Sequence, residues 1–254
     1  MLSAWEAILL GLLQGLTEFL PISSSGHLVI AQHLLGIDEP MLTFDIAVHV
    51  GTLVAVITVF WHDVLSLLKK PLCKITLLLI IGTVPAVLAA LLLGDQIDAM
   101  FSSLEVVAVA LVVTGILLLS SDKLNGRGRL EDLSYKSALI VGLFQAAAVV
   151  PGLSRSGSTI FGSLLGGLNR ADAARFSFLL SIPIILGAAA KELLDVGSGA
   201  ISLHWTYLLG AAVAAVAGYG AIRIFLKLLE KKRLRYFACY CWLLSALIML
   251  SRLF

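Results

Sequence analysis

Residues 11–27 read GLLQGLTEFLPISSSGH, and residues 142–158 read GLFQAAAVVPGLSRSGS. A shift of 131 positions lays Gly11, Leu12, Gln14, Ser23, Ser25 and Gly26 on Gly142, Leu143, Gln145, Ser154, Ser156 and Gly157. Each copy is an apolar helical run that carries a Gln, breaks at a Pro, turns through Ser and Gly, and starts a second apolar run. The polar residues lie inside sequence otherwise suited to lipid. Broken helices at matching places in two halves of a membrane protein point to a site near the bilayer interior, at the repeat interface.

The rest of the chain fits that reading. Of 254 residues, 59% are hydrophobic and 13% charged, with a mean hydropathy of +1.02. A soluble domain of this size cannot cover so much apolar surface, so the class is an all-α polytopic membrane protein. A barrel would alternate polar and apolar residues, and these runs do not. The net charge of +2 gives no reason to expect nucleic acid. Cys73, Cys239 and Cys241 lack metal-ligand spacing and read as membrane filler. The N-terminus has neither a basic region nor a small-residue cleavage site, so no cleaved signal peptide is expected.

Six runs are long enough to span a bilayer: 43–61, 75–93, 104–121, 174–192, 205–224 and 236–253. Two more, 3–37 and 136–168, are each cut into halves too short to cross, and read as re-entrant hairpins buried against protein. Three connections carry the basic residues: Lys69, Lys70 and Lys74; Lys123, Arg127, Arg129 and Lys136; and Arg223, Lys227, Lys231, Lys232, Arg233 and Arg235. The alternate connections, with Asp38 and Glu39, Asp95 and Asp98, and Glu192 and Asp195, are poor in Lys and Arg. The first set is therefore cytoplasmic, which requires both broken segments to return to the side they entered. Six spans and two hairpins then form one domain over 1–254, with inverted-topology halves at about 1–121 and 136–254. Trp5, Trp61, Trp205 and Trp242 are expected near span ends, where indoles favour the interface.

Gln14 and Glu18 stand one turn apart on one helix face. An acid at membrane depth is costly and has either a function or a partner. Ser23, Ser24, Ser25 and Gly26 then open a helix with His27; this is an N-cap, and hydroxyls beside a helix start also make an anion site. In the second copy Arg155 stands among Ser154, Ser156, Gly157 and Thr159. Its planar fork suits phosphate or carboxylate, and the competing reading is an ion pair with Glu18. The copies are not equivalent: Glu18 and His27 correspond to Val149 and Ser158, and Arg155 to Ser24. One half offers acid, imidazole and hydroxyl, the other a cation and donors. Asp45 and His49, a turn apart, are weaker candidates. His33, His62 and His204 are expected to be solvated, Pro85 and Pro183 to lie at kinks, and Gly162, Gly166 and Gly167 to permit close packing.

Pro21-Ile-Ser-Ser-Ser-Gly-His27, preceded by Gln14 and Glu18, and Pro151-Gly-Leu-Ser-Arg-Ser-Gly-Ser-Thr159 together resemble the undecaprenyl-diphosphate phosphatase family of the bacitracin-resistance type. The resemblance covers the whole chain; the one variable point is Gln14, where many members carry Glu. It implies a hydrolase of the bacterial plasma membrane that removes the terminal phosphate of undecaprenyl diphosphate and so recycles the carrier lipid for peptidoglycan synthesis. It also implies a site open to the external face, dependence on Mg²⁺ or Ca²⁺ and a homodimer. In that chemistry Arg155 clamps the diphosphate with Ser154, Ser156, Gly157, Thr159, Ser23, Ser25 and Gly26. Glu18 holds a divalent ion, with Gln14 in support, or acts as base. The nucleophile is Ser24, His27 or water. The rival classes are a carrier for an anionic solute or lipid, which uses the same broken helices, and a structural membrane subunit.

Overall fold

A computed structural model describes residues 2–37, 41–195, 204–230 and 233–251. Twelve α-helices stand among them: α1 Ala4–Glu18, α2 Ser24–Leu34, α3 Leu42–Val59, α4 Trp61–Lys69, α5 Lys74–Leu92, α6 Gly94–Phe101, α7 Leu104–Ser121, α8 Tyr135–Ala147, α9 Arg155–Leu165, α10 Arg170–Asp195, α11 Trp205–Glu230 and α12 Leu234–Ser251. A 3₁₀ turn at Leu130–Asp132 precedes α8.

The local causes are written twice. Ser3 caps α1, its hydroxyl accepting from the Glu6 N–H. Ser134, 131 positions on, caps α8 through the Ser137 N–H. Each first helix stops shortly before a proline, Pro21 or Pro151, which has no N–H to continue the ladder. Each second helix restarts on a serine cap: Ser23 accepts from the Gly26 N–H and Ser154 from the Gly157 N–H. The starts of α5 and α11, at 74 and 205, keep the same spacing of 131.

Packing follows the spacing. Helix α1 lies along α11, and α8 along α5. Both contacts run through glycine. A Cβ at Gly11 would strike the Gly210 backbone, and one at Gly142 would lie 2.8 Å from the Gly82 carbonyl. Between lipid-facing helices small residues permit close approach, which supplies the dispersion contacts that a hydrophobic drive does not. Helices α7 and α12 pair with each other, as do α3 and α10. The largest apolar core runs through Phe19, Phe60, Phe176, Phe178 and Phe225.

Five helices among the described residues are long and apolar enough to cross a membrane: α5, α7, and most or all of α10, α11 and α12. Helix α3 meets the test jointly with α4, the two being bent by 85° about Phe60. The fold is thus all-α and polytopic. Expected spans 75–93 and 104–121 match α5 and α7 to within a residue. Helices α10 and α11 run longer than 174–192 and 205–224, because their charged ends continue the helix instead of ending it.

Other expectations are corrected. The 62–74 connection is helical as far as Lys69, and Asp95 and Asp98 lie in α6. Glu192 and Asp195 belong to the last turns of α10. Asp38, Glu39, Lys231 and Lys232 lie outside the described residues. Trp242 is mid-helix, not terminal: Gly115 of α7 leaves a notch that the indole fills, and its Nε1–H donates to the Val112 carbonyl at 3.1 Å. His204 is half-buried and bonded to Thr206, whereas His33 and His62 are exposed as expected. Gly162 does pack closely on Val141 and Phe144. Gly167 instead has open space around it and φ +90°, a backbone role at the end of α9.

The basic stretches gather at one end. Lys74 Nζ donates to the Glu131 carbonyl at 2.6 Å, and Asp122 accepts from the Leu234 and Arg235 N–H groups while pairing with Arg170. Arg175 pairs with Asp63 and Glu131 there. The chain enters α8 and leaves α9 at this same end, because Gly128 donates to the Gly167 carbonyl and accepts from the Asn169 N–H.

Candidate active site

The two helix breaks meet. A Cβ on Gly26 would lie 3.2 Å from Gly152 Cα, one on Gly157 would lie 3.4 Å from Pro21 Cβ, and Ser156 Oγ donates to the Leu20 carbonyl at 3.2 Å. At Gly152 the conformation and the contact both require glycine: φ is +93°, and a Cβ would sit 2.5 Å from the Val107 carbonyl. Thr114 of α7 secures this turn, donating to the Gly152 carbonyl and accepting from the Ser154 N–H, both at 3.0 Å.

Glu18, the last residue of α1, lies at the centre. Its Oε1 accepts from Arg155 Nη2 at 2.5 Å. Its Oε2 accepts from Ser24 Oγ at 2.5 Å and from Gln14 Nε2 at 3.0 Å, with His49 Nε2 at 3.6 Å. The Glu18 side chain is 6% exposed and that of Arg155 15%. The pair joins the two copies, and a carboxylate and guanidinium so far from water each need the other. Arg155 also donates to the Ser177 carbonyl from α10 at 3.3 Å. Ser177 Oγ meets Thr159 Oγ1 at 2.6 Å, and Thr159 also reaches the Arg155 carbonyl. Ser23 and Ser25 are linked at 3.2 Å, as are Ser154 and Ser156.

The structure therefore brings together Gln14, Glu18, Ser24 and Arg155, ringed by Ser23, Ser25, Gly26, Ser154, Ser156, Gly157 and Thr159. The ion pair with Glu18 is present, and Arg155 is flanked by hydroxyls. His27 stands apart from the acid and from Ser24. Its Nδ1 is 2.7 Å from the Ser23 carbonyl and its Nε2 2.7 Å from the Tyr240 hydroxyl. Of the weaker candidates, His49 faces Glu18, while Asp45 accepts from Gln32 Nε2 at 2.8 Å. Ser177, Thr114 and Tyr240 were not singled out in the sequence. Each is a polar residue within a largely apolar stretch of helix, and many such residues do no more than bond their own backbone.

Buried charge, a hydroxyl bonded to a carboxylate and a cluster of hydroxyls around a guanidinium suit an anionic group that undergoes reaction. Arg155 and the serines can hold phosphate oxygens, and Glu18 can accept the Ser24 proton. Gln14 Oε1 is buried without a partner among the described residues, beside that carboxylate. No group of three or more His, Cys, Asp or Glu stands close enough among those residues to cage a metal.

Residues 7–247 match the profile of the family described as bacitracin resistance protein BacA. Similar curated proteins include an undecaprenyl-diphosphatase of Halothermothrix orenii, 45% identical over 251 residues and 97% of each chain. One from Carboxydothermus hydrogenoformans is 42% identical over 98% of this chain and 97% of its own. Undecaprenyl-diphosphatase 3 of Bacillus cereus is 44% identical over 96% of each.

Proposed function

The chain belongs to the bacitracin resistance protein BacA family, and from that premise we propose that it hydrolyses undecaprenyl diphosphate to undecaprenyl phosphate and inorganic phosphate. The observation that carries this is the Ser24 hydroxyl on one oxygen of Glu18 while Arg155 holds the other. A carrier has use for the cation and the hydroxyls but none for a hydroxyl bonded to a proton acceptor.

The terminal phosphate takes Arg155 as its partner, which draws the guanidinium from Glu18 and frees a carboxylate oxygen. Ser24 Oγ attacks the terminal phosphorus and passes its proton to Glu18. The bond from that phosphorus to the bridging oxygen breaks, and the polyprenyl monophosphate leaves with the electron pair. Water then attacks the phosphorus of the phosphoserine, the bond to Ser24 Oγ breaks, Glu18 returns its proton to that oxygen, and inorganic phosphate departs carrying the hydrogens of the water. Positioning and charge do most of this work. Ser154, Ser156, Thr159 and the starts of α2 and α9 add donors to the phosphate oxygens.

A divalent ion, Mg²⁺ or Ca²⁺, belongs to the same proposal. One carboxylate plus substrate phosphate oxygens is a common Mg²⁺ environment, and Glu18 with the unpartnered Gln14 Oε1 supplies hard oxygen donors for it. When bound, the ion neutralises charge on the diphosphate.

The finer architecture is proposed with the function. The α1–α2 and α8–α9 segments are two re-entrant hairpins of an inverted repeat with six spans. In support, α8–α9 returns to the end where it starts, and the pairings of α1 with α11 and of α8 with α5 are one relation applied twice. The basic end is cytoplasmic in a bacterial plasma membrane. The site opens outward, and the protein is a homodimer. Phosphate release from detergent-solubilised undecaprenyl diphosphate tests the activity. One phosphate per undecaprenyl monophosphate is expected; lipid binding by folded protein without release would point to a carrier.

A further inference from the structure

His27 has neither nitrogen free. A backbone carbonyl only accepts, so the Nδ1 facing Ser23 O carries the hydrogen. The neutral ring then accepts at Nε2, and the donor is the Tyr240 hydroxyl of α12. The two rings are stacked, with centroids 5.6 Å apart and planes within 5°. His27 is buried, with 7% of the residue exposed.

The carbonyl it grips belongs to an unusual residue. Ser23 has φ +68°, the one non-glycine residue with positive φ among those described. Such a conformation costs on the order of 1–3 kcal/mol and persists only where its surroundings enforce it. Ser24, the next residue, presents its hydroxyl to Glu18. The second copy shows the relaxed alternative. There Ser154 has φ −63°, Ser158 replaces His27, and Val109 stands where the repeat would place a counterpart of Tyr240. The brace exists only in the copy that carries the reacting hydroxyl.

We propose that His27 and Tyr240 are positioning residues. The Tyr240 hydroxyl holds Nε2 and so the orientation of the ring, and His27 Nδ1–H holds the strained Ser23 carbonyl so that Ser24 Oγ is aimed from Glu18 toward the terminal phosphorus. His27 neither attacks phosphorus nor relays a proton. The proposal rests on the phosphatase reading, but its ring chemistry can be read without turnover.

The test compares His27→Asn, His27→Gln and Tyr240→Phe in the full-length protein, with wild-type turnover as the control for the phosphatase reading itself. Asn places an N–H where Nδ1 stands; Gln places one where Nε2 stands. His27→Asn is expected to keep kcat within roughly tenfold of wild type, and His27→Gln to lose about 100-fold, as a misplaced reacting group does. Tyr240→Phe is expected to lower kcat several-fold at unchanged KM. Independently, ¹⁵N NMR of histidine-labelled protein is expected to show His27 neutral and protonated at Nδ1, and to show the Nε2 resonance shifted in Tyr240→Phe, where the hydroxyl that donates to it is gone. Equal loss in Asn and Gln variants that stay folded, or a ring protonated at Nε2, would overturn the proposal. Should the wild type release no phosphate, the phosphatase reading fails while the NMR still decides the brace.

Discussion

Severing the Glu18–Arg155 pair has a calculable consequence. The two charges touch at 2.5 Å with 6% and 15% of their side chains exposed. An exposed pair is worth about 0–1 kcal/mol. Removing one partner of a buried pair costs about 3–5 kcal/mol, because the survivor is left desolvated and alone. At this chain length 1 kcal/mol moves Tm by about 2–4 °C, so Glu18→Gln and Arg155→Met should each lower Tm by about 6–20 °C. The double variant buries no lone charge and should recover most of that loss, giving a coupling energy of at least about 2 kcal/mol. Activity should not recover: all three variants should fall at least about 100-fold, since the transition-state donor or the acid is gone. Thermal unfolding in detergent and phosphate release on the same samples read both. Single variants within 1 °C of wild type, or a double variant that turns over, would refute the claim that one buried pair serves both fold and chemistry.

Ser24→Ala should lower kcat by at least about 100-fold while Tm stays near wild type, because a half-buried hydroxyl is lost and no charge is stranded. Gly152→Ala should destabilise by about 1–3 kcal/mol or more through its φ of +93° and the close Val107 carbonyl, read as Tm. Thr114→Val strands the Ser154 N–H and should cost about 1–3 kcal/mol by the same measurement. EDTA should abolish phosphate release and added Mg²⁺ or Ca²⁺ restore it; Gln14→Glu, by adding a carboxylate beside Glu18, should lower the metal concentration for half-maximal activity. Half-maximal metal unchanged by that substitution would count against Gln14 as a ligand.

The frame of the fold was legible because the chain writes it twice. Serine caps at 3 and 134 and at 23 and 154, and prolines at 21 and 151, fix six helix ends by local chemistry alone. Periodicity and length placed α5 and α7, where apolar runs end in polar sequence. Helix α4 is not legible in the sequence because its charges look like those of a loop, whereas WHDVLSLLK forms a helix bent by 85° from α3. Charged ends likewise hid the full length of α10 and α11. Within the site, Gln14, Glu18, Ser24 and Arg155 were readable from spacing and from the cost of charge in lipid. The neighbours of His27 were not. Tyr240 lies 213 residues away, and its hydroxyl reaches His27 only because α12 packs there. His49 was legible as a residue one turn from Asp45, but not as the one that turns to Glu18.

The claim that Glu18, Ser24 and Arg155 form one reaction centre is tested most directly by a single turnover with undecaprenyl diphosphate labelled in its terminal phosphate, quenched in neutral denaturant, which preserves both phosphoserine and phosphohistidine, and mapped by mass spectrometry. Label on Ser24 in the wild type, with none in Ser24→Ala or Arg155→Met, is the predicted result. Label on His27, or phosphate release that persists in folded Ser24→Ala, would contradict it.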